Sequence, residues 1–156
     1  MSTVHLIRHA KAKSRVEWTE PDELRPLTKR GRREAEALAE RLRHEPLAHL
    51  VSSPLVRCVQ TLEPLAMAID LSIETTGLLS EGGEASGVVE LLLSLAREGP
   101  IACCTHGDVL FDVVRSVASS GVPLDGPYDV PVASAWILEI EGDRFTGGYF
   151  VERARR

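Results

Sequence analysis

The stretch "HLIRHAKA" at residues 5–12 starts as an apolar run and stops at two side chains that carry charge. Residues 3–7 are β-branched or apolar apart from His5, which is the pattern of a buried strand. Arg8 and His9 follow directly, so a permanent cation and a titratable imidazole stand side by side where the strand ends. The end of this buried strand is therefore the first place where the chain puts chemically active groups.

Beyond this strand, segments with strand spacing and segments with helix spacing alternate along the chain. Thr28 is a predicted N-cap, and so is Ser53, with Pro54 at the first position of its helix. The predicted helices cover 29–43, 54–69, 88–97 and 109–118, and the predicted strands cover 3–7, 49–52, 71–75, 101–104, 135–141 and 145–151. This alternation predicts an α/β fold, a three-layer sandwich with a mainly parallel central sheet flanked by helices. Because no repeat or linker interrupts it, residues 1–156 are predicted to form one domain.

The charge and the cysteine content narrow the class of protein. The formal net charge is −5 at pH 7, which argues against a general nucleic-acid binder. Three cysteines, two of them adjacent, are a poor disulfide framework and indicate a reducing compartment. Neither a signal peptide nor a membrane span is recognisable. We therefore expect a cytoplasmic protein without nucleic-acid or membrane partners.

Three of the predicted parallel strands deliver polar side chains at their carboxyl ends. These are Arg8 and His9 after the first strand, Ser53 and Arg57 after the second, and His106 and Gly107 after the strand at 101–104. Ligands of open α/β sheets bind beyond the carboxyl ends of the strands. The two arginines and the two histidines are therefore predicted to meet in one crevice, with Ser53 and Gly107 beside them.

This set of residues suits a phosphoryl group. The guanidinium groups of Arg8 and Arg57 are permanently charged forks that match phosphate oxygens. A neutral His9 ring is a competent nucleophile for phosphorus, and His106 could donate to the oxygens in the transition state. The helix N-terminus at Ser53 adds partial positive charge. Because side-chain cations already neutralise the phosphate, no metal ion or cofactor is expected.

The same residues resemble the histidine phosphatase superfamily, which has the phosphoglycerate mutase-like fold. The motifs are Arg8-His9, "SSPLVRCVQT" at 52–61 and "THG" at 105–107. "RPLTKRG" at 25–31 and the short length are similar to the SixA-type phosphohistidine phosphatases, and the chain is also similar to the phosphatase domain attached to some Nudix hydrolases. The resemblance covers about residues 3–118. It implies that His9 is the nucleophile and that Arg8, Arg57 and His106 form the phosphate pocket.

The group that protonates the leaving group stays open at this stage. Many members of the superfamily use a carboxylate, and Glu81 stands where the mutase-like branch places its acid. Glu84 is a nearby rival, and Asp108 follows the "THG" motif one residue later than the acid of the acid-phosphatase branch. The nitrogen leaving group of a phosphoramidate can already carry a proton. A missing or poorly placed acid would therefore favour phosphohistidine over phosphate esters.

The predicted function is a metal-independent phosphatase that acts through a phosphohistidine intermediate, with protein phosphohistidine as substrate. One alternative is a phosphatase of small phosphomonoesters, such as nucleotides or sugar phosphates. Another is a non-catalytic module that only binds phosphate. The expected partner is accordingly a phosphorylated protein or a small phosphorylated metabolite.

Overall fold

A seven-stranded sheet forms the centre of the computed structural model, which describes residues 1–154. The strands are β1 (Ser2–Arg8), β2 (His49–Ser52), β3 (Ile73–Thr75), β4 (Ile101–Thr105), β5 (Leu124–Asp125), β6 (Ala135–Glu141) and β7 (Arg144–Val151). They are arranged in the order β3-β2-β4-β1-β6-β7-β5.

The sheet is mixed. Strands β3, β2, β4 and β1 are parallel neighbours, whereas β6 runs antiparallel to both β1 and β7, and β5 pairs in parallel with β7. The prediction of an α/β fold with a helix-flanked sheet is confirmed. The parallel half carries the predicted site, and the antiparallel half is the hairpin predicted near the end of the chain.

Four helices cover the two faces of the sheet: α1 (Lys29–Leu42), α2 (Val56–Ile69), α3 (Ala85–Leu95) and α4 (Gly107–Ser119). Successive side chains of β1 point to opposite faces, so Leu6 joins the apolar cluster of α3 and α4 while Ile7 joins that of α1 and α2. Full burial of each such side chain contributes about 1.5–3 kcal/mol. This double core produces the three layers. No helix within residues 1–154 has the length and the apolar composition needed to cross a bilayer.

The start of α1 agrees with the prediction, because the Thr28 side chain accepts a hydrogen bond from the Gly31 N–H at 3.0 Å. Gly31 also lies against the chain that leaves β1. A Cβ atom at this position would lie only 2.0 Å from the carbonyl oxygen of Lys11, so only glycine allows this approach. The glycine of the "RPLTKRG" motif therefore holds the segment after His9 against α1.

The predicted start of α2 is wrong. The helix begins at Val56 with Leu55 at the N-cap, not at Ser53-Pro54. The Ser53 hydroxyl accepts from the Leu55 N–H at 3.4 Å and also contacts the ring of His106. Two other helices begin earlier than predicted. Helix α3 begins at Ala85, inside the predicted loop 81–87, and α4 begins at Gly107, two residues before the predicted start at 109. Strand β5 has only two residues, too few to show an alternating apolar pattern, and it was not predicted.

Candidate active site

The parallel register places the predicted residues at one edge of the sheet. Arg8 of β1 lies beside Thr105 of β4, and the backbone N–H of His9 donates to the Thr105 carbonyl at 3.0 Å. On the other side of β4, the N–H of Ser53 donates to the Cys104 carbonyl at 3.0 Å. The three strand ends are thus joined by backbone hydrogen bonds just where the predicted side chains emerge.

The ring of His9 is buried and is held in one tautomer. Its Nδ1 lies 2.8 Å from the carbonyl oxygen of Ala10, and a carbonyl can only accept, so Nδ1 carries the proton and Nε2 keeps its lone pair. Burial, together with the charges of His106, Arg57 and Arg8, lowers the pKa of His9 to about 3 against the opposing effect of the Ala10 carbonyl. The ring is therefore neutral at pH 7 and has a free nitrogen.

His106 is the second histidine of the site and lies at the N-cap of α4. Its ring centroid is 5.4 Å from that of His9, in an edge-on arrangement. Its Nε2 lies 2.9 Å from the Ser53 hydroxyl and 3.5 Å from the Cys58 sulfur. Its buried Nδ1 lies 3.3 Å from a carboxylate oxygen of Glu81, without the alignment of a hydrogen bond. A lone pair facing that carboxylate would be repelled, so Nδ1 carries a proton and is a donor.

Arg8 is fixed at the end of β1 by the segment before β6. Its Nη1 donates to the carbonyl of Val130 at 2.7 Å, while its Nε is buried without a hydrogen-bond partner. Gly107 lies directly against this guanidinium, because a Cβ atom there would be 3.1 Å from the Cζ and Nε atoms of Arg8. Gly107 thus leaves space for the arginine, and a side chain at this position would press on it.

Arg57 is the second residue of α2, and its side chain is fully buried. Its Nη1 donates to the backbone carbonyl of Asp22 at 3.0 Å, and its Nη2 donates to Asp22 Oδ2 at 3.1 Å. The same Nη2 also contacts Glu81 Oε1, and the Nε atom is buried without a partner. The guanidinium is therefore held along its Nη edge, with the Nε–H still available.

Five buried side-chain polar atoms in residues 1–154 have no hydrogen-bond partner, and three of them are donors of this cluster. They are Arg8 Nε, Arg57 Nε and His106 Nδ1. An unpaired buried donor costs about 1–3 kcal/mol, so several in one place indicate a site built for an acceptor that arrives from outside. Two of the three belong to fixed cations, which indicates an anion.

Of the three candidate acids, the structure brings Glu81 into the cluster. Its Oε1 contacts Arg57, approaches His106, and accepts from the exposed Arg15 at 3.2 Å. Asp108 instead accepts from the N–H of Gly82 at 2.8 Å, so it anchors the turn that carries Glu81. Glu84 is exposed at the start of α3.

One residue of the site, Asp22, was missed in the sequence. It lies in the segment between β1 and α1, whose sequence shows no helix or strand period, and the same segment carries Arg15. Ser53, predicted to lie beside the two arginines and two histidines, is fully buried, and its hydroxyl contacts His106. Within residues 1–154, no group of three or more His, Cys, Asp or Glu side chains is arranged to hold a metal ion.

Comparison with known proteins agrees with this geometry. Residues 4–88 match the family model of the histidine phosphatase superfamily, branch 1. The chain belongs to this superfamily. The predicted membership of the histidine phosphatase superfamily is thereby confirmed. The prediction of a phosphatase-type hydrolase is confirmed at the level of the family.

One curated relative of this histidine phosphatase chain is the 8-oxo-(d)GTP phosphatase of Mycolicibacterium smegmatis. The two sequences are 31% identical over 153 residues, which cover 96% of this chain and 48% of the relative. The chain thus spans about half the length of that protein.

Solved structures share the fold. The protein histidine phosphatase SixA complexed with tungstate superposes with a TM-score of 0.76 at 21% identity, covering 97% of this chain and 96% of that one. A mycobacterial glucosyl-3-phosphoglycerate phosphatase superposes with a TM-score of 0.68 at 16% identity, covering 99% of both chains. The phosphoglycerate mutase-like architecture predicted for the chain is therefore confirmed.

Proposed function

We propose that this chain is a phosphatase that forms a phosphohistidine intermediate at His9. The observation that carries the proposal is a neutral, buried imidazole with a free Nε2 in the same cluster as three unpaired buried donors. The donors take the oxygens of a phosphoryl group, and Nε2 takes the phosphorus. Binding alone would not require an unprotonated nucleophile, so hydrolysis explains more of the geometry than a phosphate-binding module does.

The reaction proceeds in two displacements. Glu81 is a carboxylate before substrate binds, and it takes up a proton from the phosphoryl group of an arriving monoanion. The lone pair of His9 Nε2 then forms a bond to phosphorus while the bond to the leaving group breaks, and the leaving atom takes that proton from Glu81. A water molecule next attacks phosphorus and gives a proton to the Glu81 carboxylate, which returns it to the departing phosphate and leaves the neutral His9 ring. Arg8 and Arg57 neutralise the oxygens throughout, so this chain's own cations supply the charge that the transfer needs.

We further propose protein phosphohistidine as the substrate. Two segments border the site: 9–28 joins β1 to α1, and 76–84 joins β3 to α3. No inserted domain lies over the site within residues 1–154, so a side chain on a protein surface can reach it. The fold shared with SixA supports this choice.

A second candidate is a phosphatase of small phosphomonoesters. A specific observation favours it, because the 8-oxo-(d)GTP phosphatase is similar to 96% of this chain at 31% identity. The segment 13–18 also carries a cation and an aromatic ring that suit a nucleotide, since Lys13 Nζ lies 5.9 Å from the centre of the Trp18 ring.

The two substrate classes are separated by steady-state turnover of a phosphohistidine peptide and of a panel of nucleotide and sugar monoesters. We expect kcat/KM to be highest for the peptide. A strong preference for monoesters would discard the protein substrate and retain the enzyme. No turnover of either class, and no binding of vanadate, would discard the phosphatase itself.

The Glu81→Gln variant is expected to separate the leaving groups. General acid catalysis contributes about 10²–10⁴-fold where the leaving group needs a proton, so monoester turnover falls by roughly that factor. Phosphohistidine has a nitrogen leaving group that can already carry a proton, so the rate at which it phosphorylates His9 in a single turnover falls much less than the corresponding rate for a monoester. Hydrolysis of the phosphohistidine intermediate is common to both substrates and slows equally. Glu84→Gln is the matched control, since Glu84 is exposed three residues away. Equal losses in the rate of His9 phosphorylation on both substrates would show that Glu81 does not act as the acid.

A further inference from the structure

Asp22 contacts the buried Arg57 with both its backbone and its side chain. The carbonyl oxygen of Asp22 accepts from Nη1 at 3.0 Å, and its Oδ2 accepts from Nη2 at 3.1 Å. Two acceptors on two nitrogens of one planar group fix the plane of that group as well as its position. The Nε–H of Arg57, which has no partner, is thereby directed away from Asp22 and kept for another acceptor.

Asp22 is itself held by a buried side chain. The Nε of Arg25 donates to Asp22 Oδ1 at 2.9 Å, and the Nη1 of Arg25 donates to the carbonyl of Lys13 at 2.7 Å. Arg25 is only 6% exposed, and its buried side chain links the two ends of the segment 13–25 through the carbonyl of Lys13. Oδ1 of Asp22 thus pairs with Arg25, with the exposed Arg15 3.8 Å away, and Oδ2 pairs with Arg57.

The carboxyl group of Asp22 stays ionised in this setting. Burial raises its pKa, but the hydrogen bond from Arg25 and the charges of Arg57, Arg25 and Arg15 together outweigh burial and lower the pKa of Asp22. An ionised carboxylate makes the stronger, charge-assisted contact to each guanidinium.

The other carboxylate on Arg57, that of Glu81, is held differently. Besides Arg57, its hydrogen-bond partner is Arg15, whose side chain is 65% exposed. Its Oε1 lies among donors that a phosphoryl oxygen would use, namely Arg57 Nη2 and His106 Nδ1. Glu81 Oε1 thus occupies a position between donors that suit a phosphoryl oxygen, whereas Asp22 has the buried Arg25 as a second partner.

We propose that Asp22 is a positioning residue for Arg57 and that Arg25, the arginine of the "RPLT" motif, holds Asp22 in place. The inference rests on the proposed function, because it assigns Asp22 to a phosphate pocket that includes Arg57. Asp22 does not touch the phosphoryl group. It keeps the guanidinium in the orientation that the transition state requires, and small misplacements of such a group cost up to about 10²-fold in rate.

The test is a double-mutant cycle between Asp22→Asn and Arg57→Lys, read as kcat and KM separately. Asparagine keeps the shape of Asp22 but cannot accept from both arginines with charged oxygens. Lysine keeps the charge at position 57 but has no planar group to orient. We expect Asp22→Asn to lower kcat by about 10–100-fold with KM changed by less than about threefold. In the Arg57→Lys background the same substitution has almost no further effect on kcat.

Asp112→Asn is the matched control, since Asp112 forms an exposed ion pair with Arg115 at 3.2 Å on α4. Asp22→Ala and melting temperatures complete the set, and if the alanine variant does not fold, the asparagine variant carries the test. Full activity of Asp22→Asn, a rise in KM with unchanged kcat, or a loss that adds fully to that of Arg57→Lys would each overturn the inference. Undiminished activity of Arg57→Lys and Arg57→Ala would instead overturn the proposed phosphate pocket.

Discussion

The His9→Gln variant is expected to lose turnover by a factor of about 10⁴ or more, because removal of a covalent nucleophile leaves only binding and electrostatic assistance. Glutamine fills most of the space of the ring and keeps a polar end near the Ala10 carbonyl, but it has no basic nitrogen to attack phosphorus. The measurement is single-turnover hydrolysis with a ³²P-labelled substrate, quenched in alkali to preserve phosphohistidine. The wild-type protein shows label on His9 during turnover, and the variant shows none.

Two results would contradict this prediction. Turnover above a hundredth of the wild-type rate in His9→Gln would mean that another group attacks phosphorus. Label retained at a different residue, such as His106, would move the nucleophile to that residue and leave His9 as a donor. The absence of both label on His9 and release of phosphate in the wild-type protein would instead return the chain to the class of binding modules.

The acid stability of the same variant provides a control for its fold. The pKa of His9 is about 3 in the folded protein and 6.5 as an ordinary histidine, so the unfolded chain binds the proton more readily. The free energy of unfolding of the wild-type protein therefore falls as the pH drops below about 6.5, and His9 accounts for about 2 kcal/mol of that fall between pH 7 and pH 5. His9→Gln lacks this contribution. Denaturant titrations at the two pH values should show a correspondingly smaller loss for a correctly folded variant.

The sequence predicts those residues of the site for which local pattern and strand direction are sufficient information. Arg8, His9 and His106 directly follow apolar runs, and parallel strands must release such residues at the same edge of the sheet. Arg57 was found because it lies within the first turn of the helix that follows β2. These four positions needed only element order and no knowledge of side-chain contacts.

The remaining features depend on tertiary contacts that no local pattern encodes. Asp22 lies in an aperiodic segment, and only the folded chain shows that the Arg25 side chain turns it towards Arg57. Ser53 has the sequence signature of an N-cap, but a buried hydroxyl beside His106 finds a partner there, and the helix starts three residues later. Asp22 had no local pattern to predict it, whereas at Ser53 the predicted helix start was wrong, and both residues belong to the candidate site.

The Arg57→Ala variant is expected to lower kcat/KM by about 10³-fold, within the range that an arginine contributes to phosphoryl transfer. Arg57 is fully buried and aligned by Asp22, so its charge acts with little solvent screening on the transferred group. Alanine also removes the buried cation that Asp22 and Glu81 share, which leaves Asp22 with Arg25 and Glu81 with the exposed Arg15. Arg57→Lys restores the charge without the fork and should recover only part of the loss. Inhibition by vanadate, measured with kcat/KM, should weaken in the same order, while Arg33→Ala, an exposed change on α1, leaves both unchanged. Retention of more than a tenth of the wild-type kcat/KM in a folded Arg57→Ala protein would place the phosphoryl group elsewhere, because the proposed pocket relies on this buried guanidinium to neutralise the phosphate oxygens.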